Sequence, residues 1–347
     1  MGAIDKLYEF IDKKWFVSDL KENRIGHIKI ALIREVINPL IIRSTDMEAT
    51  ITLVTADGRE LVEIPPRKLK SREKLLGLML CREFGVVNED VRYNVFEGAE
   101  MLNNPNSALF GDTSTKSGDT AGLTSRAIYD WAYSLRDVKD ITEKLQHNAL
   151  SEAGTMIDEA TGEMRQSLYS TEYILPGAFF PHFITVDNIT PELFIHLLSC
   201  VLNQHRYGAQ TTTNANNMIN HLVAIGFADF EKPINSYTIS KGWNERPEKD
   251  TAPTLETVKS FICSEMKKNY TDEGLIKNLD ELVKWLDGRW KEKDKPSLKE
   301  IYTSAKTSVD GYLKNIKMVK ESSGDKKQKG TKKVKAGDAN ENTTPES

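Results

Sequence analysis

The stretch from Phe179 to Glu231 constrains this chain most, because it sets a strand, a helix, a polar loop and a second strand in a fixed order. Phe179 to Val186 reads as a strand. Thr190 is suited to accept at a helix N-cap, Pro191 has no amide to lose at the first helical position, and Glu192 suits the positive end of the helix dipole. Leu193, Phe194, Leu197, Leu198, Val201 and Leu202 recur at helical spacing, so the helix Thr190 to Asn203 is expected to bury one broad face against a sheet. The loop Gln204 to Asn217 then gathers Gln204, His205, Arg206, Tyr207, Gln210, Thr211, Thr212, Thr213, Asn214 and Asn216, a mixture suited to a polar, phosphate-bearing ligand. His221 to Phe230 reads as the closing strand.

The rest of the chain supplies the partners of that unit. Residues 1–23 read as a short helix with Leu7, Phe10, Ile11 and Trp15 on one side. His27 to Ile42 is β-rich, with Ile28, Ile30 and Leu32 facing one way and Lys29, Ala31 and Ile33 the other. Thr50 to Thr55 and Glu60 to Ile64 predict a hairpin around Asp57 and Gly58, ended by Pro65 and Pro66. Ser71 opens a helix through Leu75, Leu76, Met79, Leu80 and Phe84, with Gly85 at its left-handed end. Residues 97–122, rich in Gly, Ser, Thr, Asn and Asp, are expected to be irregular. Regular structure returns at Leu123 to Leu135. Residues 136–175 predict an extended hairpin arm turning at Glu159 to Gly162. Beyond a charged linker at Glu245 to Pro253, helices are expected at Thr254 to Lys268, Leu275 to Trp290 and Ser297 to Val319, the last opened by a Ser297/Glu300 capping box. Residues 321–347, with Lys326, Lys327, Lys329, Lys332, Lys333 and Lys335 in a Gly/Ser/Asp/Asn background, read as a disordered tail.

Composition excludes several classes. Lys plus Arg total 47 against 51 Asp plus Glu, a formal charge of -4, so nucleic-acid binding has to rest on local basic patches. The densest is Arg67, Lys68, Lys70, Arg72 and Lys74, equally readable as an exposed helix face. Cys81, Cys200 and Cys263 lie far apart without a CxxC pair and read as free thiols in a reducing compartment. His182, His196, His205 and His221 follow no metal-ligand spacing, and no cofactor is implied. No apolar run is long enough to span a bilayer, so the expected location is the cytoplasm.

Two βαβ-like units with a helix face against one sheet give an α+β chain with a ferredoxin-like core, the arrangement of RNA-recognition domains. That fold alone assigns no function.

Five segments occur in order at characteristic spacing: LFGDT at 109–113, SRAIYDWAYSLRD at 125–137, IDEATGEMR at 157–165, LPGAFFPHFITVDN at 175–188 and HRYGAQTTTNANNMINHLVAIGF at 205–227. Together they resemble the backbone subunit of the type I-D CRISPR Cascade complex, of the repeat-associated superfamily, over roughly residues 25–245. Of the Gly-rich loop that the superfamily often carries after the second helix, Gly208 alone stands here. The resemblance implies a ferredoxin-like palm at 1–244 with a finger-like insert near 97–122 and a hairpin thumb near 145–175, then a C-terminal helical region at 245–320 and the Lys-rich tail. It implies guide RNA (crRNA), target DNA, head-to-tail copies of the chain, and the large, guide-end-capping and small Cascade subunits as partners.

A subunit that holds any guide must grip phosphate and ribose and leave base edges free. The candidates for that grip are Lys29, Arg34, Arg43, Arg126 and Arg206, with Tyr207, Gln210 and Thr211 for stacking and neutral contacts. On the arm, Met156, Met164 and Leu168 are candidate wedges between bases and Arg165 a phosphate clamp. Two alternatives stand beside this. A nuclease cleaving single-stranded target would need converging carboxylates, for which Asp46 with Glu48 or Asp112 with Asp119 are candidates. An unrelated cytoplasmic α+β protein would use the same loops for another polar ligand.

Overall fold

The computed structural model describes residues 2–43, 49–55, 57–116, 119–147, 150–151, 154–155, 169–248 and 252–316. Its first elements are a helix, α1 (Ala3–Phe10), and a 3-10 turn at Lys13–Trp15, which replace the single helix expected over 1–23. β1 (His27–Val36) shows the expected alternation: Ile28, Ile30 and Leu32 enter one core, Ala31 and Ile33 another on the opposite face. The hairpin of β2 (Thr52–Val54) and β3 (Glu60–Ile64) turns at Gly58, φ +80°. α2 (Pro66–Glu83) starts at Pro66 rather than Ser71, since a proline at the first helical position loses no hydrogen bond, and Gly85 follows its end at φ +68°.

Residues 97–122 are more regular than their composition suggests. They hold a 3-10 turn at Ala99–Leu102, a short helix α3 (Pro105–Phe110) and a hairpin of β4 (Asp112–Lys116) and β5 (Asp119–Leu123). Asn104 caps α3 by accepting from the Ser107 amide at 2.8 Å. β6 (Ala127–Tyr129) and β7 (Ala132–Asp137) divide the segment that follows. After a single turn, α4 (Val138–Ile141), come β8 (Thr142–His147), the short pair β9 (Leu150–Ser151) and β10 (Gly154–Thr155), and β11 (Tyr169–Ile174). β8 and β11 pair from Thr142↔Ile174 to His147↔Tyr169, forming the stem of the expected arm. Its expected turn at Glu159 to Gly162 lies outside the described residues, as do Asp46, Glu48, Met156, Met164, Arg165, Leu168 and the tail.

β12 (Phe179–Asp187), α5 (Pro191–Asn203) and β13 (Met218–Ala228) realise the organising stretch, with Thr190 accepting from the Leu193 amide at the cap. α6 (Ser236–Asn244), α7 (Leu255–Asn269), α8 (Leu279–Lys291) and α9 (Pro296–Asn315) complete the chain. The expected Ser297/Glu300 box does not form. Lys295, left-handed at φ 44°, occupies the N-cap position, and Ser297 lies inside the first turn and donates to Glu292.

The central sheet runs β13–β1–β12–β6, every neighbour antiparallel. With α2 and α5 as the two crossovers, this is the ferredoxin-like order. A second sheet, β2–β3–β7, lies beside it. The helix-side core joins Leu69 of α2 and Leu193, Phe194, Leu197 and Leu198 of α5 to the sheet, and α9 adds Leu298, Ile301, Ala305, Val309 and Leu313 from outside. α5 is therefore buried nearly all round rather than on one face, which its apolar periphery permits. On the opposite sheet face, Ile239 and Trp243 of α6 and Val258, Ile262 and Met266 of α7 cover Ala31, Ile33, Phe183 and Val223. The C-terminal helices thus divide between the two sides of the sheet. Among the described residues no helix is long and apolar enough to cross a membrane.

Candidate nucleic-acid interface

RNA-recognition domains stack bases on an open sheet face. Here α6 and α7 occupy the middle of that face, over Ala31, Ile33, Phe183 and Val223, so stacking of bases across it is closed off. At the C-terminal end of β1 four segments converge. The chain leaving β1 bridges the hairpin stem at Leu40↔Ile174. The loop at 204–217 lies against the same segment, with the Ala209 amide donating to Ile41 O at 2.9 Å. Gly208, at φ +71°, passes so close that a Cβ there would sit 2.2 Å from Ile41 O. Arg72 of α2 closes the group by donating to Gly208 O at 2.8 Å. Between loop and hairpin runs a groove of about 450 Å³, with Pro39, Ile41, Leu145 and Tyr173 as its more apolar lining and Gln210, Thr212, Thr213 and Asn214 as its polar lining.

The loop is shaped before any ligand arrives. The Asn217 side chain accepts from the Tyr207 amide at 2.9 Å and donates to the Tyr207 carbonyl at 2.8 Å. Gln210 and Asn216 take left-handed φ values of 53° and 50°, and Gln210 O accepts from the amides of Thr213 and Asn214. Tyr207 itself is fully buried, with its hydroxyl donating to Glu73 Oε1 at 2.7 Å and accepting from Asn220 Nδ2 at 2.8 Å. Arg34 pairs with the same Glu73 oxygen at 2.7 Å, both side chains being wholly inside. Arg34 also reaches Asn220 Oδ1 and His182 Nδ1, while Tyr129 donates to Glu73 Oε2. Burial alone would lower the Arg34 pKa, but Glu73 with Tyr207 and Tyr129 holds it above its ordinary value. Burial, then the Arg34 charge, keeps His182 neutral by depressing its pKa well below the usual histidine range.

Charge is distributed unevenly at this end. Arg67 is exposed and Lys68 and Arg72 half-buried on the first turns of α2, and among the described residues none of them pairs with a carboxylate. Burial and the proximity of Arg67 and Arg72 lower the Lys68 pKa, the mark of like charges held together. Arg206, exposed in the loop, likewise has no carboxylate partner among the described residues. Lys70 and Lys74 turn elsewhere. Lys70 donates to Ser125 Oγ at 2.6 Å and to Ala127 O, and burial followed by Lys74 brings its pKa to about 8.

Several residues expected at the ligand are used internally. Arg34 and Tyr207 belong to the buried network. Lys29, nearly buried on the outer sheet face, pairs with Glu231 at 2.7 Å. Arg126 donates to Asn188 O at 2.5 Å and Leu20 O at 2.6 Å and lies over the Tyr312 ring, fastening the N-terminal segment to α9. The three cations among them are readable as surface residues only because sequence spacing does not reveal an internal acceptor. Arg43, half-buried and bridged to Thr50, remains beside the hairpin, with Nε unpartnered. Arg206, Gln210 and Thr211 stay on the loop surface. Asp112, a candidate for cleavage chemistry, is buried against Lys74 and accepts from Ser107 Oγ at 2.7 Å, so its charge is already neutralised. The four histidines lie in separate places, and among the described residues no group of three His, Cys, Asp or Glu side chains is placed to hold a metal ion. Glu73 and Asn217 were not singled out by the sequence; neither has a spacing signal, since their partners are distant in the chain.

No curated protein matches the sequence. Among solved structures, the crystal structure of Thermofilum pendens Csc2 is similar at 15% identity and a TM-score of 0.57, covering 88% of this chain and 95% of that one. A chain of a CRISPR RNA-guided surveillance complex, pre-nicking, is more distant, at 11% identity and a TM-score of 0.46 over 70% of this chain and 89% of that one. The family model of Csc2 CRISPR proteins matches residues 16–297, spanning both crossover helices, the hairpin stem and the loop that closes the groove. The chain belongs to the Csc2 family of CRISPR proteins.

Proposed function

We propose that the chain is the repeating backbone subunit of a type I-D Cascade effector in CRISPR antiviral defence. It holds guide RNA by phosphate and ribose at the C-terminal end of β1 and leaves the bases free to pair with target DNA. The observation that carries this reading is the unneutralised cluster Arg67, Lys68 and Arg72 beside the preshaped loop with Arg206, at the open end of a sheet whose two faces are covered. An acidic chain that leaves these cations without acids among its described residues creates a local anion-binding surface against its own net charge. Thr212, Thr213, Asn214 and Tyr173 add neutral hydroxyl, amide and ring contacts suited to ribose and base faces. The hairpin is the thumb, and copies join head to tail, an open heterologous contact. The large, guide-end-capping and small subunits attach to that filament.

The test is RNA binding by the full chain as a function of salt and RNA length. Arg67→Ala, Lys68→Ala, Arg72→Ala and Arg206→Ala are each expected to lower the slope of log affinity against log salt by about 0.7 for every phosphate that the variant no longer neutralises. Oligomers should lengthen with the RNA. Unchanged slopes in all four variants, or a monomer indifferent to RNA, would overturn the proposal.

A further inference from the structure

We infer that Tyr207 is a positioning residue: helix α2 holds the guide loop from both sides through it, and this grip sets the affinity for RNA. The inference rests on the function proposed above and concerns the same site. Adjacent residues of α2 contact adjacent residues of the loop. From inside the core, Glu73 accepts the Tyr207 hydroxyl at 2.7 Å, and from outside, Arg72 donates to the carbonyl of Gly208 at 2.8 Å. The Asn217 side chain closes the far end of the loop onto the Tyr207 peptide groups. A buried side chain, two clasped backbone groups and a carbonyl held from α2 therefore fix the first residues of the loop, while Thr212, Thr213 and Asn216 stay exposed.

The grip is coupled to the core. Glu73 Oε1 serves Arg34 and Tyr207 together, and Asn220 Nδ2 bonds the Tyr207 hydroxyl as well as Val201 O and Gln204 O. Lifting the loop away would strip a hydrogen bond from a wholly buried ion pair and open that pair to water, a costly event in a low-dielectric interior. The loop consequently presents its exposed polar groups in one arrangement, and little ordering is left for the moment of RNA binding. Tyr207 and Asn217 are both buried, so any effect they have on RNA is transmitted through the loop's shape rather than by contact.

Tyr129 is the control that separates positioning from stability. It gives Glu73 its other hydroxyl, to Oε2, but sits on β6, with its ring against Phe110, His182 and Lys70 rather than against the loop residues. The experiment compares Tyr207→Phe with Tyr129→Phe in the full chain, using a mixed-sequence single-stranded RNA well below both melting temperatures. Amide hydrogen exchange is followed in the RNA-free protein. Tyr207→Phe is expected to speed exchange across Ala209 to Asn216 and weaken RNA binding about tenfold, with the salt slope preserved because every cation remains. Tyr129→Phe is expected to lower the melting temperature and leave both loop exchange and affinity as in the parent. If Tyr207→Phe does not fold, Asn217→Ser, which removes the peptide clasp, is expected to give the same loop exchange and affinity loss. Equal affinity losses in the Tyr207 and Tyr129 variants, or unchanged loop exchange in Tyr207→Phe, would overturn the inference. A parent chain that does not bind RNA would instead overturn the proposed function, while the exchange comparison would still decide the grip.

Discussion

Arg34 and His196 show how residue type misleads when its surroundings are unseen. Arg34 looks like a phosphate ligand on an exposed strand, yet it spends its charge on Glu73 inside the protein, where its Nε has no partner. Such a pair costs several kcal/mol per ion in desolvation, so its value lies in fixing one arrangement of α2, β1 and the loop rather than in net stability. His196 is equally internal, with Nδ1 at 2.8 Å from the Tyr302 hydroxyl, Nε2 at 3.3 Å from Asn106 Oδ1, and the Phe110 ring edge-on. Burial lowers its pKa to about 3, and His182 shifts the same way. Both histidines are neutral when folded but take up protons when unfolded below about pH 6.5. Their stabilisation is complete above pH 6.5 and is lost progressively as pH falls below it, for His196 down to about pH 3. Urea unfolding between pH 4 and 7 is expected to show this decline, and His196→Gln should make it shallower by removing the part due to His196. A slope unchanged in that variant would show that His196 is protonated in the folded state.

Among the elements, those announced by local chemistry were legible and those made by distant pairing were not. Thr190 with Pro191 marked α5, and Gly85 marked the end of α2, because a cap or a left-handed residue acts on its own neighbours. The groove could not be read, since Ile41, Tyr173 and Gln210 meet only after the sheet has formed. Composition also concealed α3 and the β4–β5 hairpin, where Asn104 and Pro105 supply a local start inside an otherwise loop-like text. Two glycines with similar backbone angles separate the local from the distant requirement. At Gly85 a Cβ meets nothing within 4 Å, whereas at Gly208 it would run into Ile41 O. Gly85→Ala is expected to cost only the left-handed strain, about 1–2 kcal/mol. Gly208→Ala must in addition push the loop off the segment that leaves β1, so it should cost more and speed exchange of the Ala209 amide. Equal costs in urea unfolding would mean that the approach at Gly208 is loose.

At the scale of the whole molecule, the ferredoxin-like order was readable from the strand and helix pattern, while the layer that covers its outer face was not. That layer comes from helices whose apolar stripes carry no address, and α7 and α9 are alike in pattern yet pack on opposite sides of the sheet. Trp243 anchors the outer layer, 1% exposed, edge-on to Phe261 and under the Arg246 guanidinium. Trp243→Ala is expected to cost about 3–5 kcal/mol of stability. RNA affinity measured in the cold should stay at the parent value, since the proposed interface lies at the sheet's end; a large loss of affinity with the fold intact would place the nucleic acid on the covered face instead. The position of β1 in the sheet also has a consequence for how the chain comes into being. This central strand is made early, but both of its neighbours, β12 and β13, are made late. At ~5–20 residues per second of synthesis, β1 waits roughly 7–30 s on the ribosome with both edges unpaired. Its burial is thus a late, long-range event: until β12 emerges, the central strand has neither of its native neighbours to pair with, and its open edges are exposed to wrong pairing.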